Sequence, residues 1–481
     1  MRETSATHIS LDLRRNFSSL LAAQVWHKGC MFLVAVGLAH TIGSAALGRL
    51  LSVISFVWIF WMLIDAGLSE LFIRDVAFQR SLFATYANFF LRLKAFLAVA
   101  ALLLMTLIAG WYAPMRDEVV LVILFGLALI AESYATLFRA VFRIQERMHW
   151  EAALWAIDGA FKLCAVGVVL WRVPGVDPVL TISISWLAVS LLGCGVAAWS
   201  VRRWWPTVVI GTDYRAWPAI LQRSIPFVLV YGFSLLSLRS MIFLVSIFRG
   251  HFDAGQFGAG ERILEGLLVL PIAVAQVLLP VSARLGATSR AELRRITLRA
   301  LLGLFCCGLA IAMVLTAWGP WLVTRVYGKG FASTGSLMLL LGWIAIPLFL
   351  KPVVEKILSG LHRQGIVWKW YLMAMLGNVA VAFAVVPSYG LTGAAGCLLA
   401  SESLCILGLS WVLWRSLDRL VPESTPSSLV PSELSVRAVV GEANTPSIVD
   451  PRIQPTHNDS GIGGRWARQD PDAVADPIPS T

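Results

Sequence analysis

The feature that leaves this chain least freedom is a succession of twelve apolar runs, near residues 17–40, 46–67, 91–113, 119–139, 151–171, 179–200, 224–247, 261–283, 298–322, 335–354, 366–387 and 391–414. A bilayer's hydrocarbon core is about 30 Å thick and takes about 20 apolar residues as helix, so each run is long enough to cross it. Composition points the same way: of 481 residues 58% are hydrophobic and 14% charged, with a mean hydropathy of +0.76, too apolar for a soluble surface. The expected fold is an all-α polytopic membrane protein with about twelve transmembrane helices. The polar opening, "MRETSATHISLDLRRNF", leads into an apolar run without a small-residue cleavage site, so that run reads as an uncleaved span.

The net charge of +11 does not describe a nucleic-acid binder, because Lys and Arg gather at the ends of apolar runs rather than in basic-aromatic stripes on polar elements. Alternate connections carry Arg74, Arg80, Arg92 and Lys94; Arg139, Arg143 and Arg147; Arg202, Arg203, Arg215 and Arg223; Arg284, Arg290, Arg294, Arg295 and Arg299; Lys351, Lys356, Arg363 and Lys369. The other connections hold Arg49, Arg116, Arg172, Arg249, Arg325 and Lys329, 6 cations against 20. The cation-rich side is cytoplasmic by the positive-inside rule, which predicts that both termini are cytoplasmic. The expected organisation is a cytoplasmic N-terminal tail at 1–16, a six-helix bundle at 17–212, a second at 213–420, and a tail at 421–481. That tail, beginning "VPESTPSSLVPSEL", is rich in Pro, Ser and acids, and is predicted to be disordered.

Soluble chemistry has little room here. The connections are short, and HExxH, nucleophile-elbow, P-loop and paired outer carboxylate patterns are absent. Seven cysteines, Cys30, Cys164, Cys194, Cys306, Cys307, Cys397 and Cys405, lie in apolar stretches without metal-ligand spacing and read as small hydrophobes. No enzyme and no cofactor is expected, with proton or sodium coupling left open.

A faint internal repeat runs through the chain. Setting Gly48 on Gly258 aligns "LGRLLSVI" with "FGAGERIL" and Arg74 with Arg284; with one residue of slack Lys28 falls on Arg239, and "AVFRIQERMHW" echoes "ILSGLHRQGIVW". The expectation is two pseudo-symmetric six-helix bundles. Lys28 and Arg239 each sit near the middle of an apolar run, where a cation facing lipid costs about 2.5–3.5 kcal/mol on insertion scales. Two readings stay open: they line an aqueous cavity, or they pair over long range with Asp65, Glu132, Asp158, Glu261, Glu265 or Glu402. Lys162 has Asp158 four residues before it on one helical face, whereas Lys28 and Arg239 have no acid three or four residues away. Arg262, next to Glu261, either joins the pair or is satisfied locally. Cations lining such a cavity suit an anionic ligand with diphosphate oxygens.

Four stretches then acquire a joint meaning: "GSAALGRLLSVISFVWIFWMLIDAGLSELFIRDVA" (43–77), "GQFGAGERILEGLLVLPIAVAQVLLPVSAR" (255–284), "VYGKGF" (326–331) and "NVAVAFAVVPSYGLTGAAG" (378–396). In this order they resemble bacterial polysaccharide flippases of the Wzx type, in the multidrug/oligosaccharidyl-lipid/polysaccharide exporter superfamily, over roughly residues 15 to 415. The resemblance implies an inner-membrane transporter that moves undecaprenyl-diphosphate-linked oligosaccharide to the outer leaflet by alternating access, among membrane lipids and beside a polysaccharide polymerase and glycosyltransferases. It implies a cationic cavity, which Lys28, Arg239 and Arg262 would supply. Arg74 and Arg284 would serve topology or gating, and Glu132 and Glu402 would be ion sites or satisfied buried acids. Within the fourth stretch, Pro387 is expected to end the eleventh helix, Gly390 to make the turn, and Asn378 to bond between helices. Rival readings are a multidrug antiporter of the same superfamily, which would want cavity acids, a membrane glycan polymerase or ligase, and a peptidoglycan-precursor flippase.

Overall fold

The computed structural model describes residues 2–78, 83–145, 147–172, 177–205 and 217–419, and every regular element among them is helical. The tail expected at 421–481 lies outside the described residues. The first half of the chain forms α1 (Arg2–Ile59), α2 (Trp61–Asp65), α3 (Leu68–Phe78), α4 (Phe83–Trp111), a 3-10 turn at Ala113–Glu118, α5 (Val119–Ile144), α6 (Met148–Arg172) and α7 (Pro178–Val201). The second half forms α8 (Trp217–Arg249), α9 (His251–Leu267), α10 (Val269–Thr288), α11 (Arg290–Tyr327), a 3-10 turn at Lys329–Phe331, α12 (Ala332–Gly360) and α13 (Gln364–Arg419). Helix α1 begins at Arg2, so the polar segment expected as a tail at 1–16 is continuous with the first span.

Nine of the described helical segments are long and apolar enough to cross a bilayer, or ten if the bent pair α9–α10 counts as one span. Two of the nine, at 59 and 55 residues, are far longer than a single crossing needs. Each is broken by a glycine outside helical geometry, Gly43 in α1 (φ 72°, ψ 179°) and Gly390 in α13 (φ 57°, ψ −136°). Gly250, between α8 and α9, has nearly the backbone of Gly43 (φ 85°, ψ 176°). A side chain at such φ is strained, so these two turns require glycine. Pro387 does not end a helix as expected: it lies within α13, and the break falls at Gly390.

The connections gather in two groups. At one end Arg49 donates to Glu118 (2.6 Å) and Asp177 (2.7 Å), His40 bonds the Val326 carbonyl (2.8 Å), and Arg249 lies against Gly390. At the other, Arg223 reaches Asp75 (2.7 Å), Arg143 lies between Glu70 and Glu151, and Arg290 donates to the Asp418 carbonyl (3.3 Å). Three cations counted as loop charges are in fact interior. Lys94 is fully buried against Asp65 (2.7 Å), Lys351 is buried against Glu402, and Arg139 is buried with its guanidinium over Trp155.

Two glycines fix how the chain's halves meet at the end that carries the glycine turns. A Cβ on Gly48 would run into the His251 carbonyl and Gly255 nitrogen, and one on Gly255 into the Ser44 carbonyl. The contact is reciprocal, because Gly43/Gly250, Ser44/His251 and Gly48/Gly255 are all 207 residues apart. Reciprocity of this kind is what a local two-fold produces, and its register differs by three residues from the 210 read off the sequence. Each half also braces its own side one residue further on. Arg49 grips Glu118 and Asp177, while Gln256 donates to the Gly330 carbonyl (2.7 Å) and accepts from the Thr334 N–H (3.0 Å).

Asp177 caps α7, accepting from the Val179 N–H (2.9 Å). Burial pushes its carboxyl up, but the Arg49 and Val179 hydrogen bonds outweigh that and hold it below its ordinary value of 3.8. A depressed carboxyl contributes stability that is complete above the ordinary value and is lost as pH falls through the lower, folded one. With the Asp177 side chain 39% exposed the contribution is modest. We expect thermal unfolding scans below about pH 4 to show a small acid loss that Asp177→Asn removes.

Outside this core the helices offer hydrocarbon to lipid. Helix α11 buries Gly308, Ala312, Leu315, Gly319 and Val323, one helical stripe. That stripe packs on α12, where a Cβ on Gly308 would touch Ile346 and Ala345 and one on Gly319 would touch Met338. The opposite face exposes Leu302, Trp318 and Trp321.

Candidate cationic binding site

The site grows from the turn at Gly250. Because that glycine folds α9 back along α8, Arg239 of α8 comes to meet Glu265 of α9, at 2.7 Å between Nη2 and Oε1. Helical spacing does the rest: Arg262 is three residues before Glu265 and takes its other oxygen (2.6 Å), and Glu261, four residues before, lies on the same face. One carboxylate is therefore shared by two guanidinium groups. Lys28 reaches the cluster from α1, with Glu265, Arg262 and Arg239 as its charged neighbours. It is exposed and has no ion pair or hydrogen bond among the described residues.

Polar capacity is left over. Arg239 Nε and Nη1 and both Glu261 oxygens are buried without hydrogen-bond partners. Glu261 and Glu265 also line a crevice of about 10 Å³ with Leu238, Leu264, Leu268, Ile344, Leu348 and Leu398. That is room for about one water. Three cations face two carboxylates, so the cluster is cationic even with both acids ionised. The Arg239 guanidinium also lies 6.0 Å from the centre of the Trp58 ring.

The expected site residues thus divide. Lys28, Arg239 and Arg262 come together from three helices. Arg239 is paired over long range through Glu265, one of the acids named for it, and of these three cations only Lys28 lacks a partner among the described residues. Arg262 pairs with Glu265 rather than with adjacent Glu261. Glu132 and Glu402 lie elsewhere as ion-pair members, Glu132 half-buried with Lys162 (2.5 Å) and Glu402 buried with Lys351 (2.6 Å). Arg74 bonds Asp75 (2.9 Å) and rides 5.2 Å over Phe227, while Arg284 is exposed. Lys162 also pairs with Asp158 (3.1 Å), which in turn holds His27 (3.0 Å), a contact the sequence did not suggest. Asn378 donates to the Ser237 carbonyl across helices (3.0 Å).

With this geometry in place, comparison with known proteins supplies the family. The family described as Polysaccharide biosynthesis protein matches residues 13–286, more than half the chain, and the chain belongs to it. No curated protein sequence matches the chain. Its fold is shared with an inward-facing multidrug resistance MATE family transporter of the MOP superfamily (TM-score 0.68, 14% identity, covering 83% of this chain and 96% of that one). It is shared too with the lipid II flippase MurJ in an inward closed conformation (TM-score 0.67, 11% identity, 84% and 89%). An outward-facing MATE transporter aligns at TM-score 0.61 with 14% identity over 84% of this chain and 96% of that one. These three solved structures are a flippase and two transporters, and the chain is a multi-pass membrane protein of that architecture.

Proposed function

We propose that this protein is a flippase for undecaprenyl-diphosphate-linked oligosaccharide, moving it from the inner to the outer leaflet of the bacterial cytoplasmic membrane for polysaccharide biosynthesis and export. In this reading α1 and α13 each cross the bilayer twice, dividing at Gly43 and Gly390. The chain then has twelve spans in bundles 17–212 and 213–420, with both termini cytoplasmic. Lys28, Arg239 and Arg262 hold the diphosphate. The observation that carries the proposal is the Glu265 clasp: two guanidinium groups and a free ammonium converge from both halves of the chain on one internal carboxylate. A diphosphate offers more acceptor oxygens than that carboxylate and takes its place by charge-assisted hydrogen bonds. Membership in the polysaccharide family and the fold shared with a lipid II flippase support the same substrate class.

An organic-cation antiporter on the same fold is the second reading, favoured by the likeness to multidrug transporters. The cationic balance of the cluster argues against it. Lys28→Ala and Arg239→Ala are expected to insert at wild-type level while glycan export falls at least about tenfold, the loss implied by removing a charge-assisted hydrogen bond of about 1.5–3 kcal/mol. Lipid-linked oligosaccharide should accumulate on the cytoplasmic side. Undiminished export in both variants, or transport of a cationic dye by the purified protein, overturns the assignment.

A further inference from the structure

We propose that Trp58 and Tyr231 form a sugar-stacking subsite beside the diphosphate grip, taking the pyranose ring attached to the diphosphate; the subsite rests on the reading of the cluster given above. Trp58 lies in the second arm of α1, on the same side of the gap as Lys28 in sequence terms, yet its ring is 6.0 Å from the Arg239 guanidinium of the other half. A diphosphate that takes the place of Glu265 on Arg239, whose Nε and Nη1 are buried without partners, would carry its first sugar into contact with that indole.

The indole is held for the purpose. Trp61 packs beside it, ring centres 5.1 Å apart and planes tilted by 31°. Tyr231 sits eight residues before Arg239 on α8, two helical turns or about 12 Å along the same face. It is 56% exposed. The next residue, Gly232, lies against Met62 of the first half, and Asp65 and Glu70 of that half, together with Arg239, act on the Tyr231 hydroxyl electrostatically.

The polar atoms of the pair are unspent. Buried Tyr and Trp normally find partners for their polar atoms, and others in this fold do: Trp155 bonds Glu151, Tyr134 the Leu91 carbonyl and Tyr371 Glu355. Neither the Trp58 indole N–H nor the Tyr231 hydroxyl has a partner among the described residues, and the half-buried Trp58 indole N–H is not among the sealed-off orphan atoms. A rigid aromatic face with an unspent donor suits a pyranose, whose C–H face is apolar and whose rim carries hydroxyls.

The test is binding by the full-length protein in lipid nanodiscs, with undecaprenyl diphosphate and with the same lipid carrying one glucose or one N-acetylglucosamine. Wild type should bind a sugar-bearing lipid about three- to tenfold more tightly than the bare one. Trp58→Leu should erase that increment and leave bare-lipid affinity within about twofold; Trp58→Phe should keep most of it, and Tyr231→Phe should lose part through the hydroxyl alone. Equal wild-type affinity for bare and sugar-bearing lipids overturns the subsite while the flippase reading stands. An equal loss for both lipids in Trp58→Leu likewise overturns it, assigning Trp58 to support of Arg239. Wild type that binds none of these lipids removes the diphosphate-lipid reading itself, and the subsite with it.

Discussion

Glu402→Ala should destabilise the protein by about 3–5 kcal/mol, the cost of leaving a buried ammonium without its counter-ion. Lys351 is buried with its Nζ 2.6 Å from Glu402 Oε2 and 5.2 Å from the Tyr371 ring centre. The other Glu402 oxygen accepts from Ser237 (3.1 Å), whose carbonyl takes the Asn378 amide, so the ion pair ties α8, α12 and α13 together. Replacing both charges, as Lys351→Met with Glu402→Leu, should recover most of the loss, since apolar groups of similar volume are often neutral or better at such sites. Thermal unfolding in detergent reads both outcomes. Glycan export then separates structure from coupling: a double variant that folds and exports assigns Glu402 to the scaffold, and one that folds without exporting makes it an ion site.

Gly48→Leu should hold the glycine-turn end of the molecule apart. A Cβ at this position already collides with the His251 carbonyl, and backbone cannot give way as a flexible side chain does. Forcing extra atoms into a packed contact costs about 1–3 kcal/mol even where some relaxation is possible. Gly48→Ala should therefore slow export, and Gly48→Leu should stop it. In a background lacking native cysteines, Ser44→Cys, now buried, should react faster with a membrane-impermeant thiol reagent from outside once Gly48→Leu is added. Unchanged labelling and export would mean that the contact is incidental to the transport cycle.

Those two sites differ in how far the sequence disclosed them. Hydropathy locates the helices because lipid enforces length and apolarity residue by residue, and loop charges sort their ends. Exceptions such as Lys94, Arg139 and Lys351 arise because a cation can be carried inward whenever a distant partner or ring awaits it. That information is tertiary. Arg239 and Glu265 are 26 residues apart on two helices, and nothing short of the fold about Gly250 tells which of several acids becomes the partner. The candidate cations were legible from their cost in an apolar run, while their clasp was not. Trp58 carried no signal at all, since an aromatic in a membrane helix reads as hydrocarbon until its neighbours are known. The sequence set Gly48 on Gly258 whereas the fold brings Gly48 against Gly255, because small residues recur often enough for one glycine to pass for another.

On the proposed function, Glu265 is a resident surrogate for the cargo. Because both arginines already hold its carboxylate, an incoming anion displaces an internal one, so the net gain from each encounter is small. A carrier has to let go on the far side as readily as it takes hold on the near one. A tethered carboxylate that can swing back onto the same guanidinium groups makes departure a substitution too, and turnover is protected from the trap of binding too well.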